Sequence, residues 1–240
     1  MKNALKKLPF FLALLLLFNC DTFDKDETAA ALKEALTVGA KYALAVLGAQ
    51  DGFYMDMAVK IGLPQDAANF IKQAGSIPVV GNAIKALEQE LVLTINRAAE
   101  ASIEEVIPIV VDAITGISIQ DATSILFSDD DRAATGFLKS ITYSTLCNIC
   151  NAVIGEALNK KLVGDFSAQQ TWEKLTEYYN YAAAIPGLNI DPIETDLTLY
   201  TTKKALDGVF VKVGDEEVKI RTDVNARVSD LLRRVFGRLD

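Results

Sequence analysis

The 240-residue sequence contains no histidine, and this absence excludes several classes of chemistry. Histidine is the commonest general base and the commonest transition-metal ligand in proteins. Ser-His-Asp and Cys-His catalytic groups are therefore excluded. Cysteine is scarce as well, with three residues in the whole chain, so a zinc site would lack the ligands that complete its tetrahedral shell. We expect neither a bound metal nor a cofactor.

Basic residues are also fewer than acidic residues. The chain has 24 basic and 32 acidic residues, a formal net charge of -8. Lys2, Lys6 and Lys7 lie in the first twenty residues, which contain no acid, so the remainder of the chain carries a charge of -11. A surface of this charge repels nucleic acids, and no basic stretch is long enough to form a local phosphate-binding patch. Nucleic acid is therefore not an expected partner.

The first twenty residues have the organisation of a signal peptide. A basic segment is followed by the apolar run from Leu8 to Phe18, whose eleven residues are too few to span a bilayer as a helix. Leu17-Phe18-Asn19-Cys20 then resembles a bacterial lipobox, although Phe18 and Asn19 replace its usual small residues.

We therefore predict a signal peptide over residues 1–20 and a lipid on Cys20 that anchors the protein to a membrane. An acidic tether over residues 21–27 and a helical domain over residues 28–240 follow. The expected location is the bacterial cell envelope, facing the periplasm. The alternative is a plain secretory signal that is cut near this point, with Cys20 incidental.

Strand patterns are almost absent from the rest of the chain. Apolar residues recur at helical spacing, with helices predicted from about Asp26 to Leu47, from Gln65 to Ala74 and from about Asp196 to Thr222. Only Gly208 to Val213 could compete as a strand, and it has no evident partner. The predicted fold class is all-α, a single-domain bundle of about eight or nine helices.

Two helix starts are predicted from capping patterns in the middle of the chain. Ser102-Ile103-Glu104-Glu105 has the form of a capping box, and Ser128 or Asp129 is expected to cap the helix that follows. That helix is expected to break once, near Asn148 or Asn151.

Several segments together resemble the DUF4197 family of bacterial envelope proteins, whose function is unknown. The matching segments are Ala31 to Pro64, Asn96 to Glu100, Pro108 to Ile114, Asp196 to Phe210 and Ile220 to Gly237. The resemblance implies an exported, helical, single-domain protein, often a predicted lipoprotein. It implies no activity and no catalytic residue.

Five residues are candidates for a polar site inside the bundle. Tyr200, Lys204 and Asp207 share one line of a helix, which predicts an ion pair between Lys204 and Asp207 beside a phenol. Arg97 and Asp112 lie in strongly apolar helices and must find partners if they are buried. We expect the five to converge, either as a binding site or as a structural cluster of charges.

Cys147 and Cys150 could form a disulfide in an oxidising compartment. Their i, i+3 spacing within a helical stretch opposes it, because bridging them would distort the helix.

The leading functional hypothesis is an uncharacterised envelope lipoprotein that acts as a non-catalytic binding or scaffold module for a protein, a lipid or a small apolar ligand. The alternatives are a hydrolase that uses carboxylate or Tyr/Lys chemistry in a cleft of the bundle, and a structural spacer. An exposed apolar groove would favour binding, whereas converging polar groups in an apolar pocket would favour the enzyme.

Overall fold

The computed structural model of the chain describes residues 24–74, 81–183, 193 and 195–240. Its eight α-helices confirm the all-α prediction, and the described ranges contain no strand. The predicted signal peptide, Cys20 and the first residues of the tether lie outside these ranges. The helices are α1 (Lys25–Leu47), α2 (Gln65–Ala74), α3 (Gly81–Gly116), α4 (Ala122–Leu126), α5 (Ala133–Asn159), α6 (Ala168–Ala183), α7 (Leu197–Thr222) and α8 (Asp230–Phe236).

Aspartates cap the helices that organise the bundle. The Asp24 carboxylate accepts hydrogen bonds from the backbone N–H groups of Asp26 and Glu27, at 2.9 and 3.2 Å, and fixes the start of α1. Asp196 accepts the N–H of Leu199 at 3.0 Å in the same way at the start of α7. Both caps satisfy donors that have no partner within their helix.

α3 is one helix of 36 residues, where the sequence predicted two. The Ser102 hydroxyl donates to the carbonyl of Ala99 at 2.7 Å, so it bonds back into the preceding turn and does not cap a new helix. Pro108 also lies within the continuous helix, where it removes one backbone hydrogen bond.

α5 begins at Ala133, later than predicted, and it runs unbroken through Asn148 and Asn151. Its start is fixed from another helix. The Glu217 carboxylate of α7 accepts the backbone N–H groups of Ala134 and Thr135 at 2.9 and 2.7 Å. Ser128 and Asp129 do not act as its caps.

Glu217 belongs to a buried ion pair that joins the ends of two helices. Its partner is Arg221, one turn later in α7, at 2.9 Å, and both side chains are almost fully buried. The Arg221 guanidinium also donates to the carbonyls of Ile125 and Leu126 at the end of α4, at 3.0 and 2.7 Å. One pair therefore caps the end of α4 and the start of α5 together.

The core is continuous across the bundle and centres on α1, which packs against α3, α7 and α8. A Cβ atom added at Gly39 would lie 3.0 Å from the carbonyl oxygen of Val213, so glycine permits the close approach of α1 and α7. α5 packs between α3 and α7, with Leu138 and Leu146 turned inward. Among the described helices, none combines the length and the apolar character that crossing a membrane requires.

Candidate functional site

An apolar groove lies on the surface between α3 and α5. It encloses a volume of about 520 Å³, within the range of roughly 300 to 1,000 Å³ that ligand sites occupy. Ile141 and Ile149 are 49% and 51% exposed, which is unusual for isoleucine. The groove is lined by Ile109, Asp112, Ala113, Gly116, Ile141, Thr142, Thr145, Leu146 and Ile149.

The groove follows from the sequence of α5, which has apolar residues on two adjacent sides. One side carries Leu138, Leu146 and Cys150 into the core. The adjacent side carries Ile141, Thr145 and Ile149, spaced by four residues, and remains open. Open space lies beside Gly116, the last residue of α3, since a Cβ atom there would meet no atom within 4 Å.

Asp112 is the one charged residue of the groove, and it is exposed. The sequence suggested that it is a buried charge, and this was wrong. Asp112 lies on α3 one turn before Gly116, and its carboxylate puts a negative charge at the edge of an otherwise apolar surface. That charge disfavours ligands with an anionic group.

The five candidate polar residues do not converge. Asp207 pairs with Lys139 of α5 at 2.7 Å and not with Lys204. Lys204 is exposed, with its ammonium 5.8 Å from the centre of the Tyr200 ring. The predicted Lys204–Asp207 pair is therefore wrong, because a side chain of a neighbouring helix competes successfully for the carboxylate.

Tyr200 anchors the connection between α1 and α2. Its hydroxyl donates to the carbonyl oxygens of Gly62 and Leu63, at 3.1 and 3.2 Å. Burial, followed by the nearby Asp66 carboxylate, raises the pKa of the Tyr200 phenol. The phenol therefore stays protonated and serves as a hydrogen-bond donor.

Arg97 belongs to a set of α3 side chains that hold the same connection. It pairs with Glu100 at 2.5 Å and with Asp51 at 2.7 Å. The buried Glu100 carboxylate accepts the backbone N–H groups of Phe53 and Tyr54, both at 3.1 Å. We call Asn96, Arg97 and Glu100 the α3 clamp.

Asn96 of the α3 clamp binds the backbone of Ile61 in both directions. Its side-chain oxygen accepts the Ile61 N–H at 2.9 Å, and its amide nitrogen donates to the Ile61 carbonyl at 2.7 Å. The clamp thus joins two of the family-like segments, Asn96 to Glu100 and the end of Ala31 to Pro64. The side chains of Asn96 and Glu100 are engaged in hydrogen bonds to the backbone of the connection between α1 and α2. We therefore assign the clamp a structural role.

A second polar cluster joins α5 to α7. The Tyr143 hydroxyl lies 3.1 Å from the Asp207 carboxylate, which also holds Lys139. Burial first, and Asp207 second, raise the pKa of Tyr143. Burial likewise raises the pKa of the adjacent Cys147 thiol, and that of Cys150 to about 11. Both cysteines are free and buried in α5.

The groove was not found from the sequence, although a signal for it was present. Ile141, Thr145 and Ile149 form a stripe outside the buried side of α5, where a surface helix normally carries polar residues. The sequence does not show which of two apolar sides remains exposed. Within the described ranges, no set of three or more cysteine, aspartate or glutamate side chains is arranged to hold a metal ion.

Comparison with known proteins gives a family without an assigned activity. No curated protein and no solved structure matches the chain. A family model described as a protein of unknown function, DUF4197, matches residues 22–237, which include every helix described above. The chain therefore belongs to the DUF4197 family.

Proposed function

We propose that this protein is an envelope lipoprotein whose helical domain binds an apolar molecule in the α3–α5 groove, without catalysis. The observation that carries the proposal is the groove itself, an open apolar surface of ligand-binding size on a firmly packed bundle. Its apolar lining comes from two regular helices, α3 and α5.

The shape and charge of the groove define the ligand class. Its α5 side extends from Ile141 to Ile149, and the eight steps between them rise about 12 Å along the helix. This length suits a single alkyl chain or a slender ring system. The carboxylate of Asp112 at the edge favours a neutral or cationic polar group over a carboxylate or a phosphate. The exposed Thr145 hydroxyl can hydrogen-bond such a group, whereas the Thr142 hydroxyl already donates to the carbonyl of Leu138.

The alternative hydrolase has less support. Its best candidate groups would be Tyr143, Cys147 and Asp207, which lie together between α5 and α7. The raised pKa values of Tyr143 and Cys147 keep both groups protonated at neutral pH, so neither is an activated nucleophile or base. The Asp207 carboxylate is already paired with Lys139.

Binding of a neutral apolar fluorophore, N-phenyl-1-naphthylamine, tests the groove. We expect saturable binding of one molecule per chain. Thr145→Trp, which fills the groove with an indole, should weaken binding by about tenfold or more, equivalent to about 1.4 kcal/mol. Ser144→Trp is the matched control, because Ser144 is exposed on the same helix and does not line the groove. Equal binding by both variants would contradict the proposal.

The lipid anchor is tested separately at Cys20. The apolar run ends there and an acidic segment follows, so we expect an acyl mass on Cys20 in protein isolated from membranes. The wild-type protein should partition into detergent. Cys20→Ser should be released into the aqueous phase or remain unprocessed. Unchanged processing together with the absence of an acyl group would reject the anchor and leave the groove proposal intact.

A further inference from the structure

The start of α1 lies close to the predicted anchor. Three residues, 21–23, separate Cys20 from Asp24, whose side chain caps α1. An extended chain advances at most about 3.6 Å per residue, so the four steps from Cys20 to Asp24 cover at most about 14 Å. A lipid on Cys20 therefore keeps the start of α1 next to the bilayer surface.

α8 lies beside the start of α1. The guanidinium of Arg234 in α8 contacts the Glu27 carboxylate in the first turn of α1 at 2.5 Å. The two helices also pack against each other, and both contribute apolar residues to the core. The same corner of the bundle contains residues 223–229, which connect α7 to α8. A tether at Cys20 therefore holds the start of α1, residues 223–229 and α8 near the membrane.

This corner exposes two valines on a rigid segment. Val224 and Val228 are 55% and 64% exposed. Arg227 lies between them and is buried, and its guanidinium donates to the carbonyls of Ile220 and Arg221 at 2.9 and 3.0 Å. The segment is thus fixed to the end of α7, and the valines are held outward.

We propose that the corner formed by the start of α1, residues 223–229 and α8 rests on the bilayer, with Val224 and Val228 in contact with the lipid headgroup layer. This inference depends on the proposed anchor at Cys20. The exposed charges here have both signs, with Arg233 and Arg234 beside Asp223 and Asp230, so an anionic lipid is not required. Because the tether holds this corner beside the bilayer, its effective concentration at the bilayer surface is high. Two small apolar contacts are then enough to orient the bundle.

Site-specific fluorescence on acylated protein tests the orientation. A nitrobenzoxadiazole label is placed at Val228→Cys, or at Ala49→Cys as the control, in a Cys147→Ala/Cys150→Ala background. Ala49 is exposed and follows the end of α1, about 33 Å from its start. Both proteins are reconstituted into phosphatidylcholine vesicles containing a headgroup spin-labelled lipid. We expect quenching at position 228 to exceed that at position 49 by about threefold or more, and Val224→Cys to behave like Val228→Cys.

Equal quenching at the two ends, or stronger quenching at position 49, would overturn the orientation. The intact mass of each protein separates this failure from failure of the anchor. An acyl mass on Cys20 without preferential quenching rejects the orientation alone. Protein that lacks the acyl mass when isolated from membranes rejects the anchor, and the inference is rejected with it.

Discussion

Replacement of Glu217 by alanine is expected to lower the free energy of unfolding by about 3 to 5 kcal/mol. The substitution leaves the Arg221 charge buried without its carboxylate partner. It also removes the acceptor for the backbone N–H groups of Ala134 and Thr135 and for the Thr135 hydroxyl. Each buried donor without a partner is destabilising. The start of α5 should fray, and α5 forms one wall of the groove.

Urea unfolding followed by circular dichroism measures this loss. Asp230→Ala is the matched control, because Asp230 is 91% exposed and its pair with Arg233 lies at the surface. The midpoint of its transition should stay close to that of the wild type. A Glu217→Ala protein as stable as the wild type would show that the buried pair does not hold the helix ends together.

Replacement of Glu100 by alanine should have the second-largest effect, about 3 kcal/mol. Glu100 is 5% exposed, and its loss leaves the N–H groups of Phe53 and Tyr54 without their acceptor. Arg97 keeps its contact with Asp51. The damage should therefore concentrate in the connection after α1. The Ile61 N–H should be less affected, because Asn96 still holds it.

Hydrogen exchange of individual amides tests this local effect together with the global stability. The amides of Phe53 and Tyr54 should exchange much faster in Glu100→Ala than in the wild type. Glu104→Ala is the control, since Glu104 lies one turn later on α3 and is exposed. Uniform acceleration along the whole chain, or no acceleration at Phe53 and Tyr54, would contradict the assigned role of the α3 clamp.

Local signals in the sequence predicted much of the fold. The helical spacing and the breaks around it gave the bounds of α2, and they placed the end of α1 and the span of α7 correctly. The capping-box pattern at Ser102 predicted a helix start that does not exist, because the hydroxyl of a serine within a helix can also hydrogen-bond to the preceding turn. The start of α5 is set by Glu217, which lies more than eighty residues away in sequence, and no local pattern shows such a contact.

The partners of the charged residues could not be predicted for a related reason. The Arg97–Glu100 pair is local, one turn apart on α3, and its neighbour spacing is visible in the sequence. Asp207 had an equally good local candidate in Lys204, but it pairs with Lys139 across a helix interface. The groove depends on the same kind of information, because it exists only where no other helix covers the second apolar side of α5.

Native mass spectrometry of the protein extracted from its own membrane tests directly whether the α3–α5 groove holds a ligand. We expect one apolar, non-anionic molecule bound per chain in the wild type. The same adduct should persist in Ser144→Trp and be lost from Thr145→Trp. Retention of the adduct in Thr145→Trp, or a wild-type protein that carries no ligand under conditions that preserve the fold, would contradict the assignment of the α3–α5 groove as a binding site.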